Sequence, residues 1–202
     1  MNVKVKALLA IVAVSASSFA LAQNKNFTGF SAGVNVNSTN VTADFSGALV
    51  AAGQVKNSNA VTNMSLQGQY GFGISDKFVV GLGVTYGMSD LTAETGGTAT
   101  TKLKSVYSIN IEPGYVVSPA TLIYAKVAYA GATAEVTAPG IVGGTGNLSG
   151  TGIGFGSRTM LTNKLYLQGE YVYASFDRKS IIPGVAVKVD TGTISIGVGY
   201  NF

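Results

Sequence analysis

Residues along this chain alternate in character. From Asp190 to Phe202, Ile194, Ile196, Val198, Tyr200 and Phe202 fall on one parity; Thr191, Thr193, Ser195, Gly197, Gly199 and Asn201 fall on the other. Period-2 alternation predicts a β-strand with one apolar and one polar face. The polar face is small and glycine-rich, and the apolar face ends in two aromatics. This is the pattern of a membrane-spanning strand with large apolar residues toward lipid and small polar residues toward a narrow lumen.

Seven more alternating segments precede it: Phe27 to Asn37, Ala60 to Ile74, Phe78 to Met88, Lys102 to Val117, Thr121 to Val136, Thr151 to Leu161 and Leu165 to Asp177. Short turns, Ser75-Asp76-Lys77, Ser118-Pro119-Ala120 and Thr162-Asn163-Lys164, follow the second, fourth and sixth segments. Longer stretches, Ser38–Asn59, Ser89–Thr101, Thr137–Gly150 and Arg178–Val187, are rich in Gly, Ser, Thr, Asn and Pro and read as loops. Within the first of them, the apolar patch Phe45 to Ala52 could instead prolong the strands. The predicted fold is all-β, an eight-stranded antiparallel up-and-down transmembrane β-barrel. Alternating short and long connections place both termini and the short turns on the periplasmic side.

The chain's beginning agrees. Lys4 and Lys6 precede an apolar run from Ala7 to Val14, and Ala20-Leu21-Ala22 forms an A-x-A-like cleavage site before Gln23. Residues 1–22 are read as a cleaved signal peptide and residues 23–202 as one barrel domain. The apolar run is shorter than the roughly 20 residues a spanning helix needs. Of 13 basic residues 11 remain after cleavage, against 9 acidic, a net charge of +2. No basic cluster accompanies that charge, so nucleic acid is not an expected partner.

Cysteine and histidine are both absent. That removes disulfides, thiolate metal sites and any Ser-His-Asp triad. The glycine-rich stretch Gly144 to Gly150 lacks the lysine of a phosphate loop. Neither an enzyme activity, nor a cofactor, nor a metal is expected.

The inward parity carries few charges. Glu112 and Lys126 fall nearly opposite each other across the Ser118-Pro119 turn, and Glu170 falls within about one pair of Arg158 across the next. Desolvated charges need partners, so Glu112–Lys126 and Arg158–Glu170 are predicted as lumen ion pairs that block passage. Inward glycines at Gly81, Gly83, Gly87, Gly154, Gly156, Gly197 and Gly199 pull the other way, since they leave room for a channel. On the outward parity, Phe78 and Tyr86 stand eight residues apart, as do Tyr107 and Tyr115. At about 3.3 Å per residue and about 40° of tilt, such a spacing climbs roughly 20 Å, close to the ~25 Å apolar band of a barrel. These four residues are assigned to the two interfacial girdles.

The final stretch Ile196-Gly-Val-Gly-Tyr-Asn-Phe202, ending on Phe202, resembles the closing strand and sorting signal of the small OmpA/OmpX-like outer-membrane barrels. The resemblance covers Gln23 to Phe202 and implies a bacterial outer-membrane location. It further implies a monomer among outer-membrane lipids and lipopolysaccharide, engaging the barrel-assembly machinery through Tyr200 and Phe202. No periplasmic domain is expected after the barrel. Two functions fit: a structural or surface-interaction protein acting through four extracellular loops, with an unknown ligand, or a narrow passive channel.

Overall fold

The structure, a computed structural model, describes residues 25–46, 56–95, 99–138, 141–182 and 185–202. The predicted signal peptide lies outside these residues, as does the apolar patch beyond Ser46. A 3-10 turn, Lys25–Phe27, leads into strands β1 (Gly29–Ser46), β2 (Lys56–Gly73), β3 (Phe78–Gly87), β4 (Leu91–Thr95), β5 (Ala99–Ser118), β6 (Thr121–Ala138), β7 (Ile141–Met160), β8 (Leu165–Phe176), β9 (Lys179–Ile182) and β10 (Val185–Asn201).

Neighbouring strands pair antiparallel in the order β1-β2-β3-β5-β6-β7-β8-β10, and β10 returns to β1 to close the ring. Eight strands therefore form the barrel. Above β3, β4 continues against β5, and above β8, β9 continues against β10. The short turns are tied by their own side chains: Thr162 Oγ1 accepts from the Leu165 amide at 2.9 Å, and Ser118 Oγ from the Ala120 amide at 3.3 Å. The closing seam runs from Ser31 opposite Asn201 to Ser46 opposite Ala186. At its foot the Phe202 amide donates to the Phe30 carbonyl at 3.0 Å, and the two rings lie 5.4 Å apart.

The expected loops shrink. β1 runs on through Ser46, β2 begins at Lys56, β5 at Ala99 and β7 at Ile141, each well inside a stretch that composition assigns to a loop. Twenty residues of β5 at about 3.3 Å rise and about 40° tilt climb roughly 50 Å, twice the apolar band of such barrels. The barrel thus continues far past the membrane at its loop end.

What stabilises the upper half is an inversion of the two faces. On β1 the outward residues Phe30, Val34 and Val36 give way to Ser38, Asn40, Thr42 and Asp44. At nearly the same height the inward residues Asn35, Asn37 and Thr39 give way to buried Val41, Ala43 and Phe45. The same exchange occurs on β10, where inward Ser195 and Thr191 are followed by Val189 and Val187, and on β8, where Gln168 and Glu170 are followed by Ala174 and Phe176. The lower half is apolar outside and, above the cluster around Phe27 at its foot, polar inside, and the upper half is a water-soluble barrel with an apolar core of Val41, Phe45, Leu91, Leu103, Val136 and Phe176 among others. Residues with the polar-loop composition of Thr and Ser can stay in strands because each alternates with a buried partner.

A bulge makes this possible on β5. Pairing with β6 shifts between Lys104 and Tyr107, and Ser105 adopts a left-handed φ of 50°. One extra residue reverses the parity above it. Leu103 and Thr101 face inward there, while below the bulge the inward set is Ser108, Asn110 and Glu112. At the turn end, Phe27 is not the first residue of a strand as the alternation suggests. Gly29 at φ 89° breaks the extended chain, and the turn before it folds Phe27 into the barrel mouth against Val79, Val116, Leu122, Met160 and Tyr166.

Leu103→Ala is expected to destabilise the barrel by about 2–5 kcal/mol, through lost burial and an unfilled cavity. Ile109→Ala on the lipid face should cost less, because lipid closes around the smaller side chain. Denaturant unfolding in lipid vesicles compares the two.

Candidate functional site

The lumen at membrane depth holds the candidate site. Ile111 pairs with Val127 and Gly114 with Tyr124, so inward Glu112 and Lys126 stand opposite each other. Lys126 Nζ lies 3.0 Å from Glu112 Oε1 and 2.5 Å from Glu170 Oε2. Glu112 Oε2 is 3.6 Å from Arg158 Nη2. All four side chains are buried. The ions form one chain, Glu170–Lys126–Glu112–Arg158, with two positive and two negative charges.

The pairing differs from the sequence expectation in one respect. Glu170 turns to Lys126 on β6, and Arg158 does not reach it. In the β7–β8 register Glu170 opposes Gly156, whereas Arg158 opposes Gln168. Arg158 donates through Nε and Nη2 to Gln168 Oε1 at 3.2 and 2.9 Å, and through Nη2 to Gln69 Oε1 at 2.7 Å. Its guanidinium also lies 4.7 Å from the centre of the Tyr166 ring. The planar fork satisfies several acceptors at once, which suits it to a crowded lumen. From Gln168 the bonds continue through Gln67 at 2.9 Å to Asn35 at 3.0 Å, so the network reaches β1. Tyr124 donates to Glu170 Oε2 at 2.9 Å.

Gln67, Gln69, Tyr124, Tyr166 and Gln168 are members that sequence reasoning did not single out. Parity placed the glutamines inward, but nothing in the pattern distinguished them from other lumen polar residues. Arginine's need for acceptors was the available signal.

Neighbouring side chains and backbone lie over the inward glycines. A methyl group on Gly199 would overlap the Tyr166 ring, and one on Gly197 would overlap the Asn35 carboxamide. Gln69, Asn110 and Tyr124 lie likewise over Gly81, Gly83 and Gly156, while Gly154 abuts the β8 backbone and Gly87 approaches the Val106 carbonyl. Gly81, Gly83, Gly156, Gly197 and Gly199 are seats for a neighbour's side chain. Side chains occupy the lumen at three levels: the apolar stopper around Phe27, the charged layer, and the apolar core of the loop end.

On the outer wall, register sets Phe78 opposite Tyr115 and Tyr86 opposite Tyr107, so the four aromatics form two cross-strand pairs at two heights. All four are exposed, and the Phe78 and Tyr115 rings meet edge-on at 5.1 Å. Tyr200 and Phe202 are also outward, 5.1 Å apart beside the closing seam. Above the Tyr107 level, Lys104 and Glu135 pair at 2.5 Å. Their hydrogen bond and mutual charge hold the carboxyl below its ordinary range and the ammonium above. Among the described residues, no three acidic side chains gather to hold a metal ion.

Chemically the layer holds charge in place, each of its four ions lying within ion-pair distance of at least one other. Removing Lys126 leaves two carboxylates without their shared cation, so Lys126→Met is expected to cost about 3–5 kcal/mol, less where water enters. A double-mutant cycle of Lys126→Met with Glu170→Gln should give clear coupling, well above the ~0.3–0.5 kcal/mol within which independent sites add. The cycle of Arg158→Met with Glu170→Gln should give a smaller one.

Comparison with known proteins places this architecture. None of the curated proteins matches the chain. Among solved structures, Ail, the attachment invasion locus protein of Yersinia pestis, is 14% identical, with 87% of this chain and 100% of that one covered at a TM-score of 0.54. OprG from Pseudomonas aeruginosa is 15% identical over 87% and 96% at 0.54. AlkL, an outer membrane protein solved in lipid bilayers, is 15% identical over 93% and 94% at 0.55. These likenesses establish the fold. The outer membrane protein beta-barrel domain family matches residues 7–202. The chain belongs to that family, and its place is the bacterial outer membrane.

Proposed function

We propose that this barrel is a non-enzymatic surface protein: a plugged transmembrane wall whose elongated upper half carries four connections to the cell exterior. One observation carries the reading. Side chains occupy the lumen in three successive layers, and the glycines that could have left a pore lie against side chains or backbone. Eight strands enclose a space just wide enough for side chains to fill, and here large ones fill it. A general porin does not fit such an interior.

The lack of histidine and cysteine and the engagement of Glu112 and Glu170 in ion pairs support the non-enzymatic part. An acid held in a salt bridge is poorly suited to proton transfer near neutral pH. In this reading Arg178 and Asp44, bonded at 2.8 Å at the loop end, help hold the exposed connections on the rim.

The remaining assignments follow the same reading. Residues 1–22 are the export signal, lipids and lipopolysaccharide surround a monomer, and the assembly machinery engages the last strand. Phe202 donates its amide to Phe30 and stacks beside it, so it serves closure as well as sorting. Deleting Phe202 should lower the amount of heat-modifiable folded barrel recovered from outer membranes. Unchanged recovery would show that the terminal aromatic is incidental.

Planar-bilayer recording tests the plugged wall. The purified barrel is expected to show no stable unitary conductance, and removing two network members together, as in Arg158→Gly with Gln69→Gly, should create one. Steady conductance from the unaltered protein would favour the narrow channel.

A further inference from the structure

One level of the lumen is not filled. A cavity of about 130 Å³ lies directly above the charged layer, below the apolar core. Its origin is visible in the strands that wall it. On β6 the inward residues run Leu122, Tyr124, Lys126 and then change to Ala128, Ala130, Ala132 and Ala134. Gly152 pairs with Ala128 on one side and Ala174 on the other, so this arc of the wall carries no side chain larger than a methyl group.

The two sides of the cavity differ in chemistry. Ala128, Ala130, Ala174 and Leu103 line one side and offer only hydrocarbon. Across from them Asn37, Thr39, Asn63 and Thr193 line the other. Thr39 Oγ1 donates to Asn63 Oδ1 at 3.4 Å and shares a hydrogen bond with Thr193 at 3.1 Å, while Asn37 donates to Ser65 at 3.1 Å. Each carboxamide has capacity for about four such bonds. The floor is Lys126 and Glu170, already paired to each other, so the cavity presents no uncompensated charge.

We propose that this cavity is a binding site for a small neutral amphiphile, a short-chain aliphatic alcohol or its like, with the hydroxyl toward Asn37, Thr39 and Thr193 and the alkyl chain against the alanines. Size agrees with this class. An apolar cavity of about 150 Å³ takes up benzene, so about 130 Å³ holds about five heavy atoms. A charged ligand would meet neither a free counter-ion nor bulk water, and a pure hydrocarbon would leave the polar side unsatisfied. The cavity reaches the barrel wall at the β5 bulge, where Gly87, Val106 and Tyr107 line it and β3–β5 pairing has ended, so a ligand need not cross the charged layer.

The test uses the barrel purified from outer membranes into detergent, with methyl-labelled alanine, titrated with 1-butanol and followed by NMR. The expected result is saturable movement of the Ala128, Ala130 and Ala174 methyls. Lipid-facing Ala125 should drift without saturation, as partitioning into the micelle requires. Filling the cavity by Ala130→Leu should abolish the saturable response, and Ala174→Val serves the same purpose should the leucine variant not fold. Butylammonium and butyrate should produce no saturable movement. The proposal is overturned if the lumen methyls behave as Ala125 does, which means water alone occupies the cavity. It is equally overturned if saturation survives in the filled variants or if the charged probes bind as well as the alcohol.

Discussion

A hydrocarbon phase accepts no unpaired backbone amide, and this structure is organised by that constraint. A sheet can cross the membrane only when its last strand pairs with its first. Here β10 meets β1 along nearly the full length of both, and the Phe202 amide bonds Phe30 at the foot of the seam. Closure at eight strands sets the lumen width, and that width makes the interior a packing problem. Polar side chains placed there are cut off from bulk water, so every charge must find its counterpart inside the ring.

The charged layer answers that demand with a neutral chain of four ions extended by glutamines. Its value is not simply stability. A buried ion pair often gains little over well-packed apolar residues, whereas a broken one costs several kcal/mol. Lumen arrangements that leave one of the four ions unpaired are therefore disfavoured. Glycine contributes by subtraction: Tyr166, Tyr124 and Asn35 each lie over the glycine paired with them on the next strand, Gly199, Gly156 and Gly197, in a lumen that larger inward residues would have overfilled.

Two solvents act on the same strands. At membrane depth the outside is oil, and beyond it the outside is water, so the apolar face must change sides partway along each strand. β1, β8 and β10 make the exchange within a few residues of the same height, and β5 does so with a bulge at Ser105. The upper half resembles a soluble barrel resting on a membrane one. The cavity lies where the two cores meet, polar from below and aliphatic from above.

The sequence by itself determined the all-β class, the eight strands, the parity that turns Ile194, Ile196, Val198 and Tyr200 outward, and the short turns. Alternation is a local property, and a closed sheet in lipid leaves it little freedom. Loop extents were not legible, because Ser- and Thr-rich segments such as Ser38 to Ser46 look like coil until the buried Val41, Ala43 and Phe45 between them are seen to share a core. Nor could hairpin register choose Arg158's partners. A long side chain reaches over several strands, and Gln69 lies 89 positions away in sequence. The fate of the inward glycines was likewise decided by tertiary structure, since a bare backbone reads as empty space until strand register sets a neighbouring strand's side chain over it, as Tyr166 over Gly199, or, across the closing seam, Asn35 over Gly197.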